Sequence, residues 1–187
     1  MHPSCMAKYA LLFSLLCTAA FAQKVDLALL GGGQVSFNPS LNAGGGAAVQ
    51  GNVGYRIAHV PMVSRYGELP ITASFGVGTG LPSGINQYST LFVTPGVRLK
   101  ITPPISPVSP YFTLGGGWAR YQGPSGSGFS NTTTAVQFGA GTDFRLVPFL
   151  GLRTEVRDYY TGAPGFTSVS GGRQHNVTFM AGLVLHF

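Results

Sequence analysis

The residues able to do chemistry in this chain are few, and their spacing argues against catalysis. Histidine is the side chain best placed to move protons near neutral pH, and beyond the first 22 residues it occurs only at His59, His175 and His186. A nucleophilic hydrolase needs a hydroxyl or thiol, a base and an orienting acid within hydrogen-bond reach. His59 falls in a connection between two patterned segments, and His175 and His186 lie on opposite faces of one alternating segment. None has a Ser and an acid at a suitable interval. Asp, Glu and His nowhere take the spacing of a metal site. The glycine triplets at 31–33, 44–46 and 115–117 lack the Gly-Lys-Ser/Thr ending and following helix of a phosphate loop. No catalytic residue, metal or cofactor is expected.

What remains is a constellation of charges with a common parity. Asp26, Arg56, Arg98, Lys100, Asp143, Arg145, Arg153, Glu155 and Arg157 all alternate with apolar neighbours. Period-two alternation is the signature of strands, and no segment shows a convincing helical period. Turn-forming clusters of Gly, Pro, Ser and Asn break the pattern at fairly even intervals. Eight strands are predicted, near 25–37, 47–57, 69–80, 90–101, 110–121, 132–146, 150–160 and 175–187. The uncharged face reads Leu27, Leu29 and Phe37 in the first strand, Val49, Val53 and Tyr55 in the second, and Ile71, Phe75 and Val77 in the third. Val136, Phe138 and Phe144 continue it in the sixth strand, Leu152 and Val156 in the seventh. Only Arg120 and Asp158 break it, each near a strand end. In the fifth strand Phe112, Leu114 and Trp118 are placed outward, although a triple glycine blurs the parity there. Pro95, inside the fourth strand, predicts a bulge or a gap in the ladder.

Alternation alone does not say which face is the outside of a barrel. The N-terminus bears on this. Residues 1–22 read MHPSCMAKYALLFSLLCTAAFA, with Lys8 before an apolar stretch from Tyr9 to Cys17 and Ala20-Phe21-Ala22 at the end. This is the layout of a secretory signal peptide, too short for a spanning helix, so the mature domain is expected at 23–187. Leu16 before Cys17 is too large for a lipoprotein signal. Cys5 and Cys17 both lie in the leader, so an exported domain must stabilise itself without disulfides. A closed barrel in lipid does so, because its backbone groups pair internally. Only 11 basic and 5 acidic residues occur in 187, far below the quarter typical of soluble domains. The basic residues are scattered singly, which argues against nucleic-acid binding. Aromatic residues near strand ends (Phe37, Tyr55, Tyr111, Tyr121, Phe144, Phe149, Tyr160, Phe187) read as interfacial girdles.

The last strand, HNVTFMAGLVLHF, sets Val177, Phe179, Ala181, Leu183, Leu185 and a final Phe187 on one face. It resembles the C-terminal signal of bacterial outer-membrane proteins. FGAGTDFRLVPFLGLRTEVRDYY (138–160), with a tight turn at Val147-Pro148-Phe149, resembles the penultimate hairpin of small OmpA-type barrels, and PYFTLGGGWARY is similar to the same group. The resemblance implies an all-β, eight-stranded antiparallel up-and-down transmembrane barrel in the outer membrane. It also implies recognition of the last strand by the barrel-assembly machinery. The connection 58–68 departs from it, being long for a periplasmic turn. The His-x-Ser pair of small-barrel lipid A deacylases is absent, since Asn176 and Val177 follow His175.

With the apolar face toward lipid, the charged set fills a lumen just wide enough for side chains. Arg56, Arg98, Lys100, Arg145 and Arg153 would face Asp26, Asp143 and Glu155 as a salt-bridged plug, with Asp143 directly across from Arg153. Inward glycines (Gly76, Gly78, Gly139, Gly141, Gly182) suggest a small wet cavity at mid-height. Extracellular loops are expected at 38–46, 81–89, 122–131 and 161–174; Arg120 and Arg173 near that rim read first as ordinary solvated residues and second as contacts for lipopolysaccharide phosphates. The expected role is structural, membrane-protecting or adhesive, in a monomer whose partners are outer-membrane lipid and lipopolysaccharide. A narrow porin-like channel is the alternative, and a secreted calycin-like carrier, with its apolar face inward, a more distant one.

Overall fold

The computed structural model describes residues 24–37, 44–78, 87–124, 128, 130–162 and 172–187. The leader expected at 1–22 and most of each long connection fall outside these residues. Nine strands follow in order: β1 (Val25–Phe37), β2 (Gly45–Val60), β3 (Val63–Gly78), β4 (Gln87–Val93), β5 (Gly96–Ile101), β6 (Val108–Gln122), β7 (Ser130–Val147), β8 (Leu150–Gly162) and β9 (Arg173–His186). Every neighbouring pair is antiparallel. β1 pairs with β2 on one side and with β9 on the other, from Asp26 opposite His186 to Phe37 opposite His175, so the sheet closes on itself. β4 and β5 share one place in the ring between β3 and β6, giving eight staves.

Closure removes the free edges that would leave backbone groups unpaired. Alternation then sends side chains in or out, and this wall turns its grease outward. Leu29, Phe112, Leu114, Phe138, Leu183 and Phe179 are all more than half or about half exposed, while Arg98 and Arg157 are 0 % exposed. A soluble carrier would show the reverse, so the calycin-like reading is dropped.

Short turns gather at one end, where Val25 and Phe187 also meet. β2 and β3 meet through Pro61 and Met62, β5 and β6 through 102–107, and β7 and β8 through Pro148 and Phe149. In outer-membrane barrels the short turns are periplasmic and the longer loops extracellular. The expected long connection at 58–68 is thus corrected. Both strands run on to a two-residue turn, with Val60 opposite Val63 and Met62 at φ +69°. Pro first and positive φ second is the pattern of a type II turn. At the other end of β3 the register slips between Ser74 and Val77, and Gly76 takes φ +64°. The slip turns Val77 inward, against its expected outward place, and leaves it fully buried.

The stave shared by β4 and β5 has a break in it. Thr94 and Pro95 separate the two halves, and Pro70 faces them from β3. Two prolines at one level withhold two amide donors. Thr94 N donates weakly to Pro70 O at 3.4 Å, and Gly116 N donates to Pro95 O at 3.0 Å. On β6 the facing glycines allow a close approach: a Cβ on Gly117 would collide with the backbone carbonyl of Val93.

Candidate functional site: the ionic lumen

The barrel interior is layered. Nearest the periplasmic end, β1 supplies Asp26, β5 supplies Arg98 and Lys100, β7 supplies Asp143 and β8 supplies Arg153. Arg153 donates through Nε and Nη2 to the two oxygens of Asp143, at 2.6 and 2.8 Å, and Lys100 Nζ donates to the same carboxylate at 2.6 Å. Asp26 accepts from Arg98 Nη2 at 2.5 Å and lies 2.8 Å from His186 Nδ1. Tyr66 and Tyr111 close this layer with their ring faces, 4.6 Å and 5.5 Å from the Arg98 guanidinium carbon; Tyr111 is also 5.1 Å from that of Arg153. A guanidinium so placed is attracted by the ring quadrupole, the more so when desolvated.

The next layer centres on Arg157. Its Nε and Nη2 donate to Glu155 at 2.8 and 2.7 Å, and its Nη1 donates to Glu68 at 3.0 Å and to Gln137 Oε1. Glu155 also accepts from Gln50 and from the Tyr111 hydroxyl, each at 2.9 Å. Glu68 accepts from Asn52 at 3.2 Å and stands 3.9 Å from Arg98, which joins the two layers.

Above the ions the lumen turns aromatic and neutral. Phe92 stacks on Tyr159 with centroids 4.2 Å apart, and Tyr88 meets Tyr121 edge to face at 5.7 Å. An amide and hydroxyl cluster lies beside them, where Asn176 Oδ1 accepts from Ser36 at 2.8 Å and from Gln174 at 2.7 Å.

Four cations, Arg98, Lys100, Arg153 and Arg157, and four carboxylates, Asp26, Glu68, Asp143 and Glu155, are buried together. Each ion removed from water carries a penalty of several kcal/mol, recovered only with good geometry and further hydrogen bonds. The bidentate and multiply bonded arrangements meet that condition. Acidic and basic side chains of Asp, Glu, Lys and Arg thus meet in equal numbers in this buried set.

Of the residues expected in the lumen, Asp26, Arg98, Lys100, Asp143, Arg153, Glu155 and Arg157 meet there. Two corrections apply. Arg145 has the right parity, but β7 runs past the barrel rim and slips register between Arg145 and Val147, so the side chain is exposed. Arg56 faces the lumen mouth half-buried, with no carboxylate at ion-pair distance among the described residues. Tyr111 and Tyr121, expected in the girdles, are buried inside at 1 % and 0 % exposure. Their odd numbers, against outward Phe112, Leu114 and Trp118, could have shown this. The cavity expected beside the inward glycines is filled at Gly141, where a Cβ would strike the Tyr111 hydroxyl. Gly76 is exposed at its slip. Sequence reasoning missed Glu68, Gln50, Gln137, Tyr66 and His186 as network members; all five share the parity of the inward face in their own strands, odd in β7 and even in the others.

The outer wall holds the proposed assembly residues. Phe179, Ala181, Leu183, Leu185 and Phe187 are exposed on β9 and just beyond it, with Val177 half-buried. Near the extracellular end His175 Nδ1 lies 2.6 Å from Asp158 Oδ2, and its ring sits 4.8 Å from that of Tyr160. This acid–imidazole pair faces outward, with Val177 two residues along the strand where a hydroxyl would be needed. His59, at the opposite end, is 2.8 Å from Ser64 Oγ. No metal-holding group of three His, Cys, Asp or Glu occurs among the described residues.

A closed antiparallel wall, apolar outside and ionic within, is that of a transmembrane β-barrel of the bacterial outer membrane. The chain belongs to the family described as the outer membrane protein beta-barrel domain, whose model matches residues 9–187. The protein is accordingly an outer-membrane one. A comparison with the curated proteins gives no match. Among solved structures it is similar to the Neisserial surface protein A, at 14 % identity and a TM-score of 0.61, over 87 % of this chain and 97 % of that one. It is also similar to OprG of Pseudomonas aeruginosa (14 %, 0.54, 88 % and 97 %) and to the N-terminal barrel domain of OprF from the same organism (14 %, 0.51, 88 % and 98 %). At such identity the likeness is one of fold.

Proposed function

We propose that this protein is a non-conducting, non-catalytic barrel whose role is structural, membrane-protecting or surface-interacting. The observation that carries the reading is the ionic plug, in which Arg98, Arg153 and Arg157 are at most 1 % exposed and held to carboxylates from four different strands. An eight-stranded barrel has little interior beyond what side chains fill, and here guanidinium and tyrosine groups fill it. In this reading the protein works as a monomer through its walls and rims. Arg120 and Arg173 meet lipopolysaccharide phosphates at the extracellular rim, and the outward residues of β9 present the chain to the assembly machinery.

A narrow porin-like path is the second reading. It is favoured by inward polar atoms without a protein partner, such as Asn52 Oδ1, Thr94 Oγ1 and Thr113 Oγ1, which water could serve. Single-channel recording in planar bilayers separates the two. The expected result is a flat baseline from refolded, heat-modifiable protein; steady unitary openings that change on Arg153→Ala would establish the channel instead.

A further inference from the structure

The lumen accounts for four of the five acidic side chains in the sequence, and the fifth, Asp158, is spent on His175 near the extracellular end. The periplasmic end therefore carries Lys24, Arg56, Arg65 and Arg145 with no carboxylate side chain among them. Three of these reach toward water or the lumen mouth. Arg65 does not: it projects from the lipid-facing side of β3, three residues beyond Met62 of the Pro61-Met62 turn.

Register sets its surroundings. Arg65 pairs with Leu99 of β5, and Leu99 with Phe112 of β6; one row further from the periplasm, Val97 pairs with Leu114. Gly67, beside Val97, adds no side chain to that row. The result is a groove of about 360 Å³ in the outer wall, walled by Val97, Leu99, Phe112 and Leu114, with Arg65 at its edge. All four apolar residues are exposed, Phe112 at 60 % and Leu114 at 64 %.

We propose that this groove is a binding site for an anionic glycerophospholipid of the periplasmic leaflet. The phosphate sits on the Arg65 guanidinium, and one acyl chain lies along Leu99, Phe112, Val97 and Leu114. A guanidinium offers a planar fork of donors that matches a phosphate in two-point contact. At the edge of the hydrocarbon, water competes weakly for that contact, and a cation without an acidic neighbour selects an anionic headgroup over a zwitterionic one. Apolar walls reaching up from the cation fix where the chain must lie. The site is independent of whether the lumen conducts.

The single tryptophan, Trp118, lies on β6 toward the extracellular rim, away from the groove. A W118F, F112W protein moves that reporter into the groove. It is refolded into phosphatidylcholine vesicles containing a small fraction of dibrominated phosphatidylglycerol or, in parallel, dibrominated phosphatidylcholine. Bromine quenches a tryptophan it touches. The expected result is several-fold stronger quenching by the anionic lipid, lost in Arg65→Gln and kept in Arg65→Lys and in Arg145→Gln. Gel migration with and without heating confirms that each variant is folded. Equal quenching by the two lipids overturns the proposal. So does an Arg145→Gln loss as large as that of Arg65→Gln, which would assign the preference to diffuse rim charge. Should Arg65→Gln fail to fold, Arg65→Met is read in its place: loss of the anionic preference is expected there, and a preference retained in a folded variant without the charge overturns the proposal.

Discussion

Asp143 is the carboxylate on which the periplasmic layer turns, because it serves Arg153 through both oxygens and Lys100 as well. Arg153 Nη1 already lacks a partner. Replacing Asp143 with Ala leaves two buried cations short of their counter-charge, and breaking a buried pair in this way costs about 3–5 kcal/mol. The expected outcome is a lower urea midpoint for unfolding from lipid vesicles, together with unheated gel migration lost at a lower temperature. A variant as stable as the parent, and as silent in bilayers, would show that the plug does not depend on this residue. The Asp143–Arg153 pair was legible in the sequence because a tight turn at Pro148 fixes which residues face each other across β7 and β8. Glu68 was not legible, since the outward neighbours that should have announced its strand are Arg65 and Gly67. An alternation that carries no apolar residue looks like a loop.

At the scale of elements, the β2–β3 turn stores strain that chemistry does not require. Met62 holds a left-handed conformation, φ +69°, in a two-residue connection. A non-glycine residue there costs on the order of 1–2 kcal/mol, while glycine gives back about 0.5–1 kcal/mol through its freer unfolded chain. Met62→Gly is therefore expected to raise the unfolding free energy by about 0.5–1 kcal/mol, measured by the same urea titration. Strand existence and most facings were readable because a charge on the lipid side at mid-depth costs about 2–4 kcal/mol, which keeps one parity clean. Strand ends were less so. Val77 follows a glycine-based slip, and Arg145 follows the correct parity out past the rim; both depend on where a ladder stops, which alternation does not encode.

For the whole molecule, the outward face and the expected export signal pointed to one architecture, and the closed ring and family membership agree with it. The extracellular connections, where surface interactions are expected to reside, fall mostly outside the described residues, and their chemistry was the least legible part of the sequence. The circuit of hydrogen bonds itself is uneven. Pro70 and Pro95 remove donors at one level, and β6 answers them with Gly115, Gly116 and Gly117. A tube with one poorly stitched meridian does not deform equally in all directions: squeezed by a change in bilayer thickness, it flattens there first. Amide hydrogens of Thr94 and Gly96 are expected to exchange with deuterium faster than those in the middle of the unbroken strand β8, such as Arg157. Uniform rates around the circumference would mean that the cylinder is equally stiff on every side.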